Sequence, residues 1–178
     1  MMTLLGVVIE VPDGGPVFVS ALGLHVVGGM TAVISGTLAA LSRKRRGRHP
    51  KAGYVYLAGL AVVAVSAVTM ALIRGWEDAH LLVIALVAAG LGTAGWQARR
   101  RRRPGWRRWH GIGMAGSFIM LLTGFYVDNG ARLPVWNLLP SWAYWLLPSL
   151  IGWPLTWLAL RRNSGRPLAG QARRPGLP

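Results

Sequence analysis

The chain predicts an all-α membrane protein with five transmembrane helices, and two observations lead there. Five apolar stretches, Val17–Leu41, Ala52–Ile73, His80–Trp96, Gly111–Val127 and Trp142–Leu160, each come close to the roughly 17–25 residues that a helix needs to cross a hydrocarbon core. The connections between them also sort charge. Arg43, Lys44, Arg45, Arg46, Arg48 and Lys51 fill the first connection. Arg99–Arg103, Arg107 and Arg108 fill the third, and Arg161, Arg162, Arg166, Arg173 and Arg174 lie in the tail. The other side holds every acid, Glu10, Asp13, Glu77, Asp78 and Asp128, and only Arg74 and Arg132 of the 20 basic residues. Cytoplasmic loops collect Lys and Arg, so the expected orientation is N-terminus outside and C-terminus inside.

Composition points the same way. Only 14% of residues are charged, where a soluble domain carries about 25%. The net charge of +15 would suggest nucleic acid in a soluble chain. Here the basic runs are short and each abuts an apolar helix. They read as topology determinants against anionic lipid headgroups, and no nucleic-acid partner is expected. Trp106 and Trp109, which flank Arg107 and Arg108, sit where interfacial aromatic belts form. Without cysteine there is no disulfide, thiolate metal site or cysteine nucleophile.

Residues 1–16 form an outer segment with no positive charge, unlike a cleaved signal peptide. Pro12-Asp13-Gly14-Gly15-Pro16 makes a turn that separates Leu4–Val11 from the first helix. Leu4–Val11 is too short to cross and is expected at the interface. Residues 17–160 form the transmembrane domain, with helices over 17–41, 52–73, 80–96, 111–127 and 142–160. Pro50 opens helix two, where a missing N–H costs nothing. Glu77 and Asp78 suit the start of helix three, Pro104-Gly105 turns the chain into helix four, and Asp128-Asn129-Gly130 ends it. Short connections predict an up-down-up-down bundle for helices one to four. Helix five differs in kind. It carries Trp142, Tyr144, Trp145, Trp153 and Trp157, and Pro148 and Pro154 should kink it. It is expected outside the bundle or against another subunit. Residues 161–178 read as a disordered basic tail.

Chemistry is expected at the histidines. Each of the first four helices has one at or near its start: His25, His49, His80 and His110. Helix direction alternates, so His25 and His80 share the outer level and His49 and His110 the inner level. In a sequential bundle, helices one and three are diagonal, as are two and four. Each pair then faces across the core at one depth, as the two axial ligands of a b-type haem must. The outer haem would use His25 and His80, and the inner haem His49 and His110, with histidine ligation tuned by burial and neighbouring hydrogen bonds. Taken singly, a histidine near a helix end also reads as a wet interfacial residue. An ionisable group within a span nonetheless points to function. His49, beside Arg48 and Pro50, is the weakest of the four.

A second site uses the outer acids. His25, His80, Glu77 and Asp78 together offer imidazole and carboxylate to a divalent metal such as zinc or copper. Glu77 and Asp78 also read simply as helix-start residues. The run Gly111-Ile112-Gly113-Met114-Ala115-Gly116 has the G-x-G-x-x-G spacing but opens a membrane helix, so it is not a dinucleotide fingerprint. Its small residues, like Gly28, Gly29, Ser35, Gly36, Gly90 and Gly92, permit close helix approach or leave room for a flat cofactor. No Ser/His/Asp triad is present in the pattern.

The stretch from His25 to Tyr56, HVVGGMTAVISGTLAALSRKRRGRHPKAGYVY, resembles a group of bacterial integral membrane proteins classed as a domain of unknown function. The matching positions are His25, Gly29, Gly36, His49, Gly53 and Tyr56, and Trp106-Arg107-Arg108-Trp109-His110 resembles that family's second basic loop. The likeness covers roughly residues 20–127 and brings no function with it. The layout is also similar to cytochrome b561 and the small di-haem quinol oxidoreductases, which implies histidine pairs and haem across four helices. That second likeness is architectural only.

The expected function is electron transfer across or within the bilayer through one or two b-type haems, with a quinone as an electron partner. One alternative is a non-catalytic membrane subunit that binds a partner protein, or a second copy of itself, through helix five. Another is a metal-binding or small transport protein using the outer histidines and acids. The expected location is a bacterial cytoplasmic membrane.

Overall fold

The computed structural model describes residues 2–4, 7–9, 15–42, 47–75 and 79–164. Five helices dominate: α1 (Gly15–Leu41), α2 (Arg48–Arg74), α3 (Ala79–Arg101), α4 (Trp106–Asn129) and α5 (Ser141–Ser164). Each contains a window long and apolar enough to cross a membrane. At 1.5 Å per residue these helices run roughly 35–40 Å, longer than a hydrocarbon core of about 30 Å. Their outward faces carry Leu24, Val27, Ile34, Val65, Leu72 and Leu150, all more than half exposed. That is the surface a bilayer covers, and the chain is a multi-pass helical membrane protein.

The helices continue past the apolar stretches into the basic connections. Arg48–Lys51, Ala98–Arg101 and Arg161–Arg162 all lie within helices. Arginine and lysine are good helix formers, so the apolar run ends before the helix does. Ahead of α1, β1 (Met2–Leu4) pairs antiparallel with β2 (Val7–Ile9). The apolar segment that was expected to lie along the interface thus folds partly onto itself. Glu10, Asp13, Glu77, Asp78 and positions 165–178 lie outside the described residues.

α1 packs closely along α2, and α3 along α4, while a shorter seam joins these two hairpins through α2 with α3 and α4 with α1. Small residues make each hairpin tight. A Cβ on Gly59 of α2 would meet the Gly28 carbonyl oxygen at 2.9 Å and the Ala32 nitrogen at 3.0 Å. A Cβ on Gly113 of α4 would meet the Gly95 Cα at 2.7 Å and the Leu91 carbonyl oxygen at 2.8 Å. Backbone touches backbone at both places, which is how small residues let membrane helices associate. Gly90, which has open space above it, plays no such part.

The core sits where the hairpins meet. Ala32, Tyr56, Leu60 and Ala88 are buried there, flanked by Leu57, Met114, Phe118, Met120 and Leu121. The Phe118 ring occupies the space beside Gly36 that a side chain would fill. α5 packs against α4 on the outside of the bundle. It docks Tyr144 on Gly130, Trp153 on Gly116 and Gly152 on Ile119. Pro148 and Pro154 lie inside a continuous helix and withhold N–H groups from the carbonyls of Tyr144 and Leu150.

Candidate functional site

His49 opens α2 and His110 lies in the first turns of α4, so both stand at the arginine-rich end of the bundle. They belong to different hairpins. Their rings nevertheless approach, with centroids 6.4 Å apart and planes at 86°. Both residues are half-buried.

Each ring is held by a backbone carbonyl of the helix packed beside it. Nδ1 of His49 is 2.9 Å from the Ala39 carbonyl oxygen on α1. Nδ1 of His110 is 2.9 Å from the Gly95 carbonyl oxygen on α3. A carbonyl accepts but cannot donate, so in both residues the proton sits on Nδ1. In the neutral imidazole that leaves the lone pair on Nε2. Donation from the second nitrogen to a carbonyl is the usual way a protein orients a metal-ligating histidine and raises its basicity. The local fold explains the reach. At Gly95 and Gly113 the α3 and α4 backbones touch, which brings the Gly95 carbonyl within range of a ring one turn back on α4.

Imidazole nitrogen is a common metal ligand, and here one ring comes from each hairpin. One histidine stands on each side of the seam between the hairpins. Two grooves of about 330 Å³ flank α2, and neither is lined by a histidine.

His25 and His80, expected from depth to pair at the outer level, each contact a different neighbour. His25, half-buried on α1, has Nδ1 3.0 Å from Ser66 Oγ on α2. Ser66 in turn donates to the Val62 carbonyl at 2.7 Å. His80 is exposed, and its ring packs against Trp145 of α5 at 6.0 Å. The diagonal helices α1 and α3 make no close backbone contact, as is also true of α2 and α4, and the His80 ring turns toward α5. Glu77 and Asp78 of the alternative metal site lie outside the described residues. Among the described residues, no three His, Cys, Asp or Glu side chains gather in metal-binding range.

One polar contact was not anticipated. Tyr56 and Ser117, both fully buried, share a 2.6 Å hydrogen bond across the hairpin seam. The sequence does hold the signal. Tyr56 follows His49 by seven residues, and Ser117 follows His110 by seven. Seven residues is two helical turns, so the second pair stacks below the first on the same faces.

Compared with family models, curated proteins and solved structures, the chain matches none of them.

Proposed function

We propose that the protein is a membrane electron carrier in which His49 and His110, one from each hairpin, would hold one b-type haem. The observation that carries this reading is the pair of imidazoles from opposite hairpins, each fixed through Nδ1 by a neighbouring carbonyl. A b-type haem supplies a one-electron couple whose potential follows burial and the hydrogen bonds on its axial ligands. The chain's own part is to orient and to insulate. The Ala39 and Gly95 carbonyls fix both ring planes and tautomers. The Tyr56–Ser117 bond clamps the hairpins beneath the site, and apolar Leu57, Met114 and Phe118 exclude water from the mid-depth core.

The site lies at the arginine-rich end, which the charge pattern assigns to the cytoplasmic side of a bacterial inner membrane. A quinone in the bilayer is the proposed electron partner. One haem is favoured over two because the rings of His49 and His110 meet, whereas His80 packs on Trp145 and His25 bonds Ser66. The test is the visible spectrum of protein expressed with a haem precursor and purified in detergent. Sharp α and β bands on dithionite reduction support the proposal. A protein that stays colourless refutes it.

A second reading is a subunit that binds a protein partner, or a second copy of itself, through α5. It draws on the outward Trp142, Leu150 and Trp157, each more than half exposed and facing away from α4. A stable oligomer that a Trp142→Ala, Trp157→Ala pair dissolves would favour it.

A further inference from the structure

The seam between α2 and α3 leaves a groove of about 330 Å³ on the outer surface of the bundle. Tyr54, Leu57 and Ala61 line one wall, and Ala89, Thr93 and Trp96 line the other. Its walls are almost wholly apolar. From Trp96 back to Ala89 the groove descends about 10 Å from the arginine-rich end. Its volume is at the lower end of ligand sites, roughly 300 Å³.

The mouth of the groove is positively charged in a defined way. The Arg99 guanidinium lies over the Tyr54 ring at 5.9 Å, and that of Arg100 over the Trp96 ring at 4.7 Å. Two residues that line the groove therefore also hold two cations at its rim. Among the described residues no acid stands near them: Asp128, in the last turn of α4, is at the opposite end of the bundle, and in sequence Glu10, Asp13, Glu77 and Asp78 adjoin the helix ends away from Arg99 and Arg100. An anion carried by a lipid could meet these cations with its apolar tail in the groove.

We infer that this groove binds one anionic phospholipid, with an acyl chain between α2 and α3 and the headgroup phosphate on Arg99 and Arg100. The inference does not depend on haem. Basic residues next to a membrane attract anionic lipid in general. The specific content here is one lipid, one groove and two particular arginines.

The test is native mass spectrometry of the full chain in mild detergent, with phosphatidylglycerol or phosphatidylcholine added. One phosphatidylglycerol should survive activation that strips other lipid, at roughly tenfold or more over phosphatidylcholine. Arg99→Gln with Arg100→Gln should reduce that preference to near parity. Arg102→Gln with Arg103→Gln, which removes equal charge beyond the groove, should leave it within about twofold. Ala61→Phe, at an exposed wall position, should fill the groove and lower retention of phosphatidylglycerol with all arginines present. Equal retention of the two lipids would overturn the inference. So would equal losses from the two arginine pairs, or full retention in Ala61→Phe.

Discussion

Replacing Gly113 by alanine should loosen the α3–α4 hairpin, and the structure gives the size of the effect. The added Cβ would stand 2.7 Å from the Gly95 Cα, 2.8 Å from the Gly95 nitrogen and 2.8 Å from the Leu91 carbonyl oxygen. Carbon atoms in good contact are about 3.5–4.0 Å apart. All three neighbours are backbone, so no rotamer can relieve the overlap and the helices must separate by most of an ångström. Overpacking of this kind costs about 1–3 kcal/mol. Alanine's helix preference over glycine returns about 1 kcal/mol, so the net loss should be at most about 2 kcal/mol. The separation also stretches the 2.9 Å bond from His110 Nδ1 to the Gly95 carbonyl, so under the proposed function the variant should also bind haem less well. Gly90→Ala is the control, because a Cβ there meets nothing within 4 Å. Thermal unfolding in one detergent, followed by circular dichroism, should put Gly113→Ala below the parent and Gly90→Ala at or above it. If both variants unfold with the parent, the backbone contact does not hold the hairpin together.

Tyr56→Phe leaves Ser117 Oγ buried without its 2.6 Å partner and should cost about 1–3 kcal/mol. Adding Ser117→Ala should cost less than the sum of the two single changes, a coupling that a double-mutant cycle in unfolding measures. Gly152→Ala places a Cβ 2.5 Å from Ile119 Cγ1. It should weaken docking of α5 on α4, and Ile119→Ala in the same chain should restore it, read as protease protection of α5. A reporter fused after Pro178 should read cytoplasmic and one inserted near Asn129 external. The reverse pattern would invert the assignment of the arginine-rich end.

The parts of this fold that were legible in the sequence are those set by the bilayer. Length and apolarity locate the five helices, because a span has little else to vary. Helix ends were less legible, since Arg99–Arg101 reads as loop charge yet continues α3. Depth along a helix was also readable, and it puts His49 level with His110. Which helices lie side by side was not. That depends on where backbones can touch, at Gly28 with Gly59 and at Gly95 with Gly113, and glycines that do this look the same in sequence as Gly90, which does not. The same ambiguity hid the fate of His80. Its place beside Trp145 follows from α5 docking on α4, a long-range choice made by Gly116, Gly130 and Gly152 rather than by any residue near His80.

The proposed haem site has two named residues, His49 and His110. The direct measurement is haem per polypeptide, by pyridine haemochrome, in the parent and in four single variants. The parent should hold close to one. His49→Ala and His110→Ala should each fall to near zero, whereas His25→Ala and His80→Ala should stay near the parent value. Loss of haem from His25→Ala with retention in His49→Ala would contradict the account.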